Sequence, residues 1–322
     1  MKAKRVNSKL YVLLAVIVAA LAFLGWDVEA RHSLLGTAWT AGQKALLNAP
    51  HCPWPRVLTF YSSGMDLLAR AQNHENQVSV EDTDEALGIQ LVRHPSGSFW
   101  VRISGERWDG ARLVPYLLAE HDWMSERHPV SNVRPGDIVL DCGAHIGIFT
   151  QRALDQGAAK VVAIDPDPVQ IECLRRNFAQ EIEAGRVILV EKGVWSSSGT
   201  LPLNVGVQNS GMSSLVAETG GDTLDVPVTT IDELVADLAL ERVDYIKLDI
   251  EGAEREALKG GLATIRKFQP RILLEAYHRP DDMEVLPEIL YRTHPEYVPY
   301  CGDCELTDDP ANRLVPHFIY WE

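Results

Sequence analysis

The sequence predicts an α/β protein built on a doubly wound, mostly parallel sheet. From about residue 138 onward, apolar runs of strand length alternate with amphipathic stretches of helix length, as repeated βαβ units require. The first two runs, Ile138–Leu140 and Val161–Ile164, each lead into an acidic residue, and a glycine-rich turn follows the first. Together these features predict a ligand crevice at the carboxyl edge of the sheet.

A membrane segment is predicted ahead of this domain. Residues 1–9 form a basic tail without acids, and residues 10–26 are an uncharged apolar run near the lower length limit for a membrane span. We interpret the run as a transmembrane signal anchor, with a signal peptide cleaved after Ala30 as the alternative. The basic tail places the N-terminus in the cytosol and the following domain in a lumenal, Golgi-like or other extracytoplasmic space.

Charge and cysteine content argue against two further classes of protein. The formal net charge of -15 argues against a nucleic-acid partner, because a phosphate-binding surface needs clustered lysine and arginine. Five cysteines at irregular spacing are too few for a disulfide framework. Only Cys301 and Cys304 have a suggestive spacing, which suits a local disulfide or half of a zinc site.

Two segments connect the membrane run to the main sheet. Residues 27–77 contain several prolines and are interpreted as a linker. Residues 78–130 are interpreted as an N-terminal cap, in which two β-rich runs flank a proline-glycine turn at residues 94–97 and a helix follows over residues 113–123. The ligand-binding domain is then expected over residues 131–322.

The remaining elements of this domain follow the same alternation. A polar loop at residues 208–214 lies between two inserted strands, and we weigh a lid over a substrate equally against a surface loop. The expected elements after the second strand are a helix at 169–178, a third strand at 187–190, inserted strands at 201–205 and 226–228, a fourth strand at 243–248, a fifth at 271–275, and a terminal hairpin at 297–300 and 317–321.

The turn Gly143-Ala-His-Ile-Gly147 indicates which ligand the crevice takes. Dinucleotide folds place a glycine where this turn has His145, because the backbone there approaches a pyrophosphate. S-adenosylmethionine lacks phosphates and fits this turn better, with Asp165 accepting hydrogen bonds from ribose hydroxyls and Asp141 facing the cationic methionine end. NAD is the runner-up ligand, and a glycine pair that only packs a helix is the alternative interpretation of the turn.

A second group of chemically active residues follows the fourth and fifth strands. Because parallel strands end at one edge of a sheet, these residues are expected near the glycine turn. His278 is the preferred general base, with Glu251 or Glu254 as further candidates. The rival hypothesis is a divalent cation such as Mg²⁺ or Ca²⁺ on Asp249 and Glu275, and helix capping by the two glutamates is the non-catalytic alternative.

Three motifs give the chain a family resemblance. They are the runs Pro135–Gly147 and Asp244–Glu254 and the pair Tyr277-His278, and the string Lys-Leu-Asp-Ile-Glu-Gly-Ala-Glu within the second is the most specific. The chain resembles the FkbM family of S-adenosylmethionine-dependent methyltransferases. This resemblance implies the class I methyltransferase fold, a seven-stranded sheet whose last strand is antiparallel, and methylation of oxygen on macrolide or sugar hydroxyls. The family commonly has asparagine where this chain has His145.

The sequence therefore predicts an O-methyltransferase acting on a sugar, glycan or polyol hydroxyl. A membrane-anchored, non-catalytic scaffold that binds S-adenosylmethionine and a NAD-dependent oxidoreductase are the alternatives. The predicted catalytic residues are His278, Glu251 and Glu254. The predicted cofactor-binding residues are Asp141, Gly143, His145, Gly147, Asp165, Glu191 and Asp249, with Glu191 near the adenine.

Overall fold

The structure of the protein is a computed structural model in which part of the chain is described. The predicted membrane anchor and the alternative cleavage site both fall outside that part and stay predictions. Within the described residues, no helix combines the length and the apolar character needed to cross a membrane. The described residues are Cys52, 54–105, 109–206, 209–306 and 314–322.

The N-terminal part contains two helices and a three-stranded antiparallel sheet. Its strand order is β1-β2-β3, and the hairpin and helix predicted for the cap are present. A helix also occupies the C-terminal part of the predicted linker. The prolines of that stretch do not prevent it, since they stand before the helix or in its first turn, where proline is tolerated. The elements are α1 (Trp54–Glu75), β1 (Ser79–Asp84), β2 (Ile89–His94), β3 (Gly97–Arg102) and α2 (Gly110–Arg127).

The rest of the chain alternates strands and helices as predicted. The first half of this region comprises β4 (Ile138–Cys142), α3 (Ile148–Asp155), β5 (Lys160–Ile164), α4 (Pro168–Asn177), α5 (Ala179–Glu183), β6 (Val187–Val190), β7 (Gly193–Val194), β8 (Gly199–Asn204) and β9 (Thr223–Thr229). The second half comprises α6 (Ile231–Asp237), β10 (Tyr245–Leu248), α7 (Glu254–Lys259), α8 (Leu262–Phe268), β11 (Arg271–Glu275), α9 (Asp282–Thr293), β12 (Pro299–Cys301), β13 (Cys304–Leu306), β14 (Leu314–Pro316) and β15 (Phe318–Trp321).

The central sheet has seven strands in the order β12-β15-β11-β10-β4-β5-β6. Strands β4, β5, β6, β10 and β11 pair in parallel, and their residues are nearly all buried, as expected for strands covered on both faces. In the register of β10 with β4, Lys247 lies beside Asp141 and Leu248 beside Cys142. The carboxyl ends of these two central strands are therefore level, and the residues that follow them meet.

We call residues 143–147, the glycine turn at which a cofactor is predicted to bind, the cofactor turn. The cap packs against the beginning of this turn. Buried apolar residues of β2, β3 and α2 form one cluster with Ile146 and Ile148, which lie in and just after the glycine turn, and with Cys173 of α4. At about 25 cal/mol per Å² of buried apolar surface, such a cluster contributes substantially to holding the turn in place. The cap is thus packed against the glycine turn and against α4.

The chain divides into two compact units, and the smaller one contains a disulfide. The smaller unit is made of residues 1–67 and 301–318, and the larger of residues 68–300 and 319–322. Within the smaller unit Cys52 is bonded to Cys304, with 6.0 Å between their Cα atoms. The predicted local pairing of Cys301 with Cys304 is therefore wrong, and so is the half zinc site. The reason is that residues distant in the sequence meet here, which spacing alone does not reveal.

Candidate functional site

The turn after β4 adopts a backbone that needs glycine at its start. Gly143 has φ 80°, and a Cβ added there would lie 1.9 Å from the carbonyl oxygen of Asp249. At Gly147, with φ 91°, an added Cβ would lie 2.1 Å from the ring of Phe178. The first glycine therefore allows the turn to touch the end of β10, and the second allows close packing against Phe178.

His145 links the turn to the polar loop between the two inserted strands. Its backbone is left-handed, with φ 51°, and its Nε2 lies 2.8 Å from Ser210 Oγ. Burial lowers the pKa of His145 to about 3, so the ring is neutral at physiological pH. On the other side of the loop, Ser214 Oγ donates to the carbonyl oxygen of Glu251 at 2.7 Å. The described part of this loop, residues 209–214, thus packs across both strand ends.

Asp165, directly after β5, organises the neighbouring backbone. Its Oδ2 accepts a hydrogen bond from the His145 N–H and its Oδ1 accepts one from the Asp167 N–H, both at 2.9 Å. Burial raises the pKa of Asp165 to about 7. Each carboxylate oxygen keeps a second lone pair, so the group can still accept hydrogen bonds from a ligand.

Lys247, in the middle of β10, joins the cofactor turn to the end of its own strand. Its Nζ donates to the Gly143 carbonyl at 2.8 Å and lies 3.2 Å from Asp249 Oδ2 and 3.6 Å from Asp141 Oδ1. Asp141 is fully buried and also accepts a hydrogen bond from Thr150 Oγ1. The carboxylate predicted to face the cofactor is therefore held within the protein by a lysine and a threonine.

Three side chains converge next to this lysine, and we call Asp249, Glu251 and His278 the acid–imidazole cluster. One ligand atom from each lies within 4.8 Å of the others. His278 Nε2 is 3.5 Å from Glu251 Oε2 and 3.9 Å from Asp249 Oδ1. Glu251 has a left-handed backbone, with φ 53°, which is uncommon for a residue other than glycine and directs the chain sharply at the end of β10.

A buried carboxylate stands behind the histidine of the cluster. Glu254 Oε1 lies 3.0 Å from His278 Nδ1 and accepts the Ile250 N–H at 2.9 Å. Burial lowers the pKa of His278, but the carboxylates of Glu254 and the cluster outweigh it, and the pKa is raised well above its ordinary value. Burial also raises the pKa of Glu251, so the cluster holds protons that an ordinary surface carboxylate would release.

Two predicted residues lie outside the acid–imidazole cluster. Glu191, after β6, is exposed and pairs with Arg175 of α4. Glu275 ends β11 near enough for its charge to act on Lys247 and Glu251, but its carboxylate is not one of the groups that converge in the cluster. The predicted roles of these residues stay predictions.

The sequence did not predict the contacts of two residues. These residues are Lys247 of β10 and Ser210 of the polar loop, which contacts the cofactor turn. The lysine had a visible signal, since a charged residue interrupts an otherwise apolar central strand. The serine had none, because nothing in a polar loop indicates which of its hydroxyls is buried.

Comparisons with known proteins show which family the sequence of this chain matches. Residues 141–302, half of the chain, match the methyltransferase FkbM domain. The chain is 30% identical over 201 residues to the 31-O-demethyl-FK506 methyltransferase FkbM of Streptomyces tacrolimicus, covering 53% of this chain and 75% of that protein.

Two further relatives are matched over less than two thirds of their length. Methyltransferase sdnD of Sordaria araneosa is 31% identical over 166 residues, which cover 41% of this chain and 63% of the relative. Hexuronic acid methyltransferase AglP of Haloferax volcanii is 30% identical over 124 residues, which cover 38% of this chain and 49% of the relative.

The close approach at Gly143 can be tested against a glycine of similar conformation. Gly185 has φ 69° and no atom within 4 Å of an added Cβ, so Gly185→Ala should lower the free energy of unfolding by only about 1–2 kcal/mol. Gly143→Ala should cost about 1–3 kcal/mol more, because the backbone of Asp249 must move. Denaturant unfolding measures both, and equal losses would show that the contact with Asp249 is unimportant.

Proposed function

Because the chain belongs to the FkbM family of methyltransferases, we propose that it transfers a methyl group from S-adenosylmethionine to a hydroxyl oxygen of a sugar, glycan or polyol. One observation carries the proposal. The cofactor turn and the acid–imidazole cluster share an edge, since Gly143 touches Asp249 and Lys247 bonds to both. A donor on the turn and an acceptor at the cluster would therefore be neighbours, as direct group transfer requires.

The residues around the turn fit the proposed cofactor. Asp165 offers lone pairs to the two ribose hydroxyls, and the backbone at Gly143 leaves no room for a side chain beside Asp249. His145 fills the position where a dinucleotide fold needs a glycine, which favours a ligand without a pyrophosphate. Gly147 and the strand-end Asp249 complete the proposed set, with Glu191 on the adenine side, whereas the fully buried Asp141 supports the turn through Lys247 and does not face the ligand.

The names of the relatives support an oxygen acceptor. One relative is named for a 31-O-demethyl substrate and another for hexuronic acid, a sugar derivative. The family match also favours methyl transfer over the two alternatives, a non-catalytic scaffold and a NAD-dependent oxidoreductase. The carboxylates of Asp249 and Glu251 further suit a polyol, because carboxylates accept hydrogen bonds from neighbouring hydroxyl groups.

The chain's own residues then have two tasks in the reaction. When bound, S-adenosylmethionine supplies an electrophilic methyl group on a sulfonium and leaves as a neutral thioether. The protein must align the hydroxyl oxygen with that methyl group, and the acid–imidazole cluster is placed to hold it. The cluster must also assist loss of the hydroxyl proton, either through a base, the role predicted for His278 and Glu251, or through a cation that lowers the pKa of the hydroxyl. Glu254 acts by positioning His278.

The ribose role of Asp165 predicts a pH-dependent affinity for S-adenosylhomocysteine. Burial raises the pKa of Asp165 to about 7, and ribose hydroxyls donate to its ionised form, so binding should tighten as the pH rises from 6 to 8. Asp165→Asn should bind about tenfold more weakly or worse at pH 8, with little pH dependence. Titration calorimetry measures this, with Asp155→Asn on α3 as the control. Wild-type affinity in Asp165→Asn would contradict the assignment.

The acceptor side of the proposal is tested by methyl transfer itself. With labelled S-adenosylmethionine, wild-type protein should methylate an oxygen of at least one compound in a panel of sugars, glycans and polyols. His278→Ala should lower kcat by about 10²- to 10⁴-fold while still binding S-adenosylhomocysteine. His294→Ala, which removes a histidine outside the cluster, should leave kcat near that of the wild type. A product methylated on nitrogen or carbon would overturn the choice of oxygen.

A further inference from the structure

We propose that the acid–imidazole cluster binds one divalent cation of the first transition series, with Asp249, Glu251 and His278 as its protein ligands. The inference rests on the proposed function, since it names the means by which that site activates a hydroxyl. It differs from the cation site predicted from the sequence in two ways. Glu251 and His278 take the place of Glu275, and an imidazole joins the carboxylates.

The spacing of the three ligand atoms suits a cation better than hydrogen bonds. His278 Nε2 lies 3.5 Å from Glu251 Oε2 and 3.9 Å from Asp249 Oδ1, which is longer than an ordinary N–H···O hydrogen bond. Ligands at about 2.0–2.2 Å from a shared metal ion are themselves about 3.0–4.3 Å apart. The two measured distances fall within that interval.

The histidine of the cluster has an unused nitrogen. Only 8% of the His278 side chain is exposed, and its Nε2, which faces both carboxylates, makes no hydrogen bond to any described residue. A buried polar atom without a partner lowers the stability of the fold, so such atoms are rare unless a water or an ion engages them. A cation between Nε2 and the carboxylates removes this cost.

The surroundings of the cluster match the support that metal ligands receive. Glu254 Oε1 lies 3.0 Å from His278 Nδ1, which is the carboxylate contact that commonly orients a metal-binding histidine. Glu254 is itself fixed by the Ile250 N–H. Lys247 engages Asp249 through Oδ2, so Oδ1 of that carboxylate is the oxygen directed toward the histidine.

The chemistry of the donor set selects the class of ion. Mg²⁺ and Ca²⁺ prefer oxygen ligands alone, whereas imidazole suits iron, cobalt, nickel and zinc, and carboxylates suit manganese. One imidazole with two carboxylates therefore favours Mn²⁺, Fe²⁺, Co²⁺ or Zn²⁺. Three protein ligands leave coordination positions for the acceptor, whose hydroxyl would bind the ion through oxygen and release its proton to solvent.

The test measures metal binding without any turnover. Full-length protein is stripped with a chelator, dialysed, and titrated with Mn²⁺ by electron paramagnetic resonance and with Co²⁺ by visible absorption. We expect one site per chain in the wild type. His278→Gln and Glu251→Gln should lose at least 100-fold in affinity, and Glu254→Gln about 10- to 100-fold. Glu288→Gln, which removes an exposed carboxylate on α9, should bind as the wild type does.

Binding of S-adenosylhomocysteine to the same metal-free samples separates this inference from the proposed function and shows that each variant is folded. If wild-type protein binds S-adenosylhomocysteine but neither ion saturably, the cation site is wrong and the methyltransferase proposal stands. If His278→Gln binds both ions with wild-type affinity, the cluster is not the site. If the ions bind and S-adenosylhomocysteine does not, the cation site stands and the cofactor assignment fails.

Discussion

The structure of the site depends on one buried cation, the ammonium group of Lys247. Removing a charge from water costs several kcal/mol, and the cost is recovered here because the group meets two carboxylates and one carbonyl oxygen. Those partners belong to β4, to the cofactor turn and to the end of β10. This side chain therefore links the two halves of the crevice, which the pairing of β4 with β10 already sets side by side, and the charge of the buried Asp141 would be uncompensated without it.

The loop at residues 209–214 closes this arrangement from the opposite side. It contacts the cofactor turn through Ser210 and the backbone of Glu251 through Ser214. Because Glu251 has a left-handed backbone, its side chain direction depends on contacts that hold that conformation. The loop is thus hydrogen-bonded both to the cofactor turn and to the backbone of the cluster.

The sequence was informative about elements and less so about side-chain directions. The bounds of β11 were predicted correctly because an apolar run between a proline and an acid is unambiguous. The strand-end rule, by which parallel strands end at one edge of a sheet, placed Asp249 next to the glycine turn. That rule fixes only which strand ends adjoin, so it could not show that Glu251, rather than Glu275, joins the cluster. The partners of Lys247 and the helix α1 likewise depend on tertiary packing, which overrides local pattern.

The disulfide has a consequence for how the chain is made. Its two cysteines are 252 positions apart, so during synthesis from the N-terminus Cys52 emerges long before Cys304 exists. In the chain-entropy description, closing a loop of this size stabilises the folded state by about 5 kcal/mol, but only once the whole methyltransferase sequence has left the ribosome. Until then Cys52 can form only non-native bonds, so the native pairing forms only after the residues of the methyltransferase domain have been synthesised.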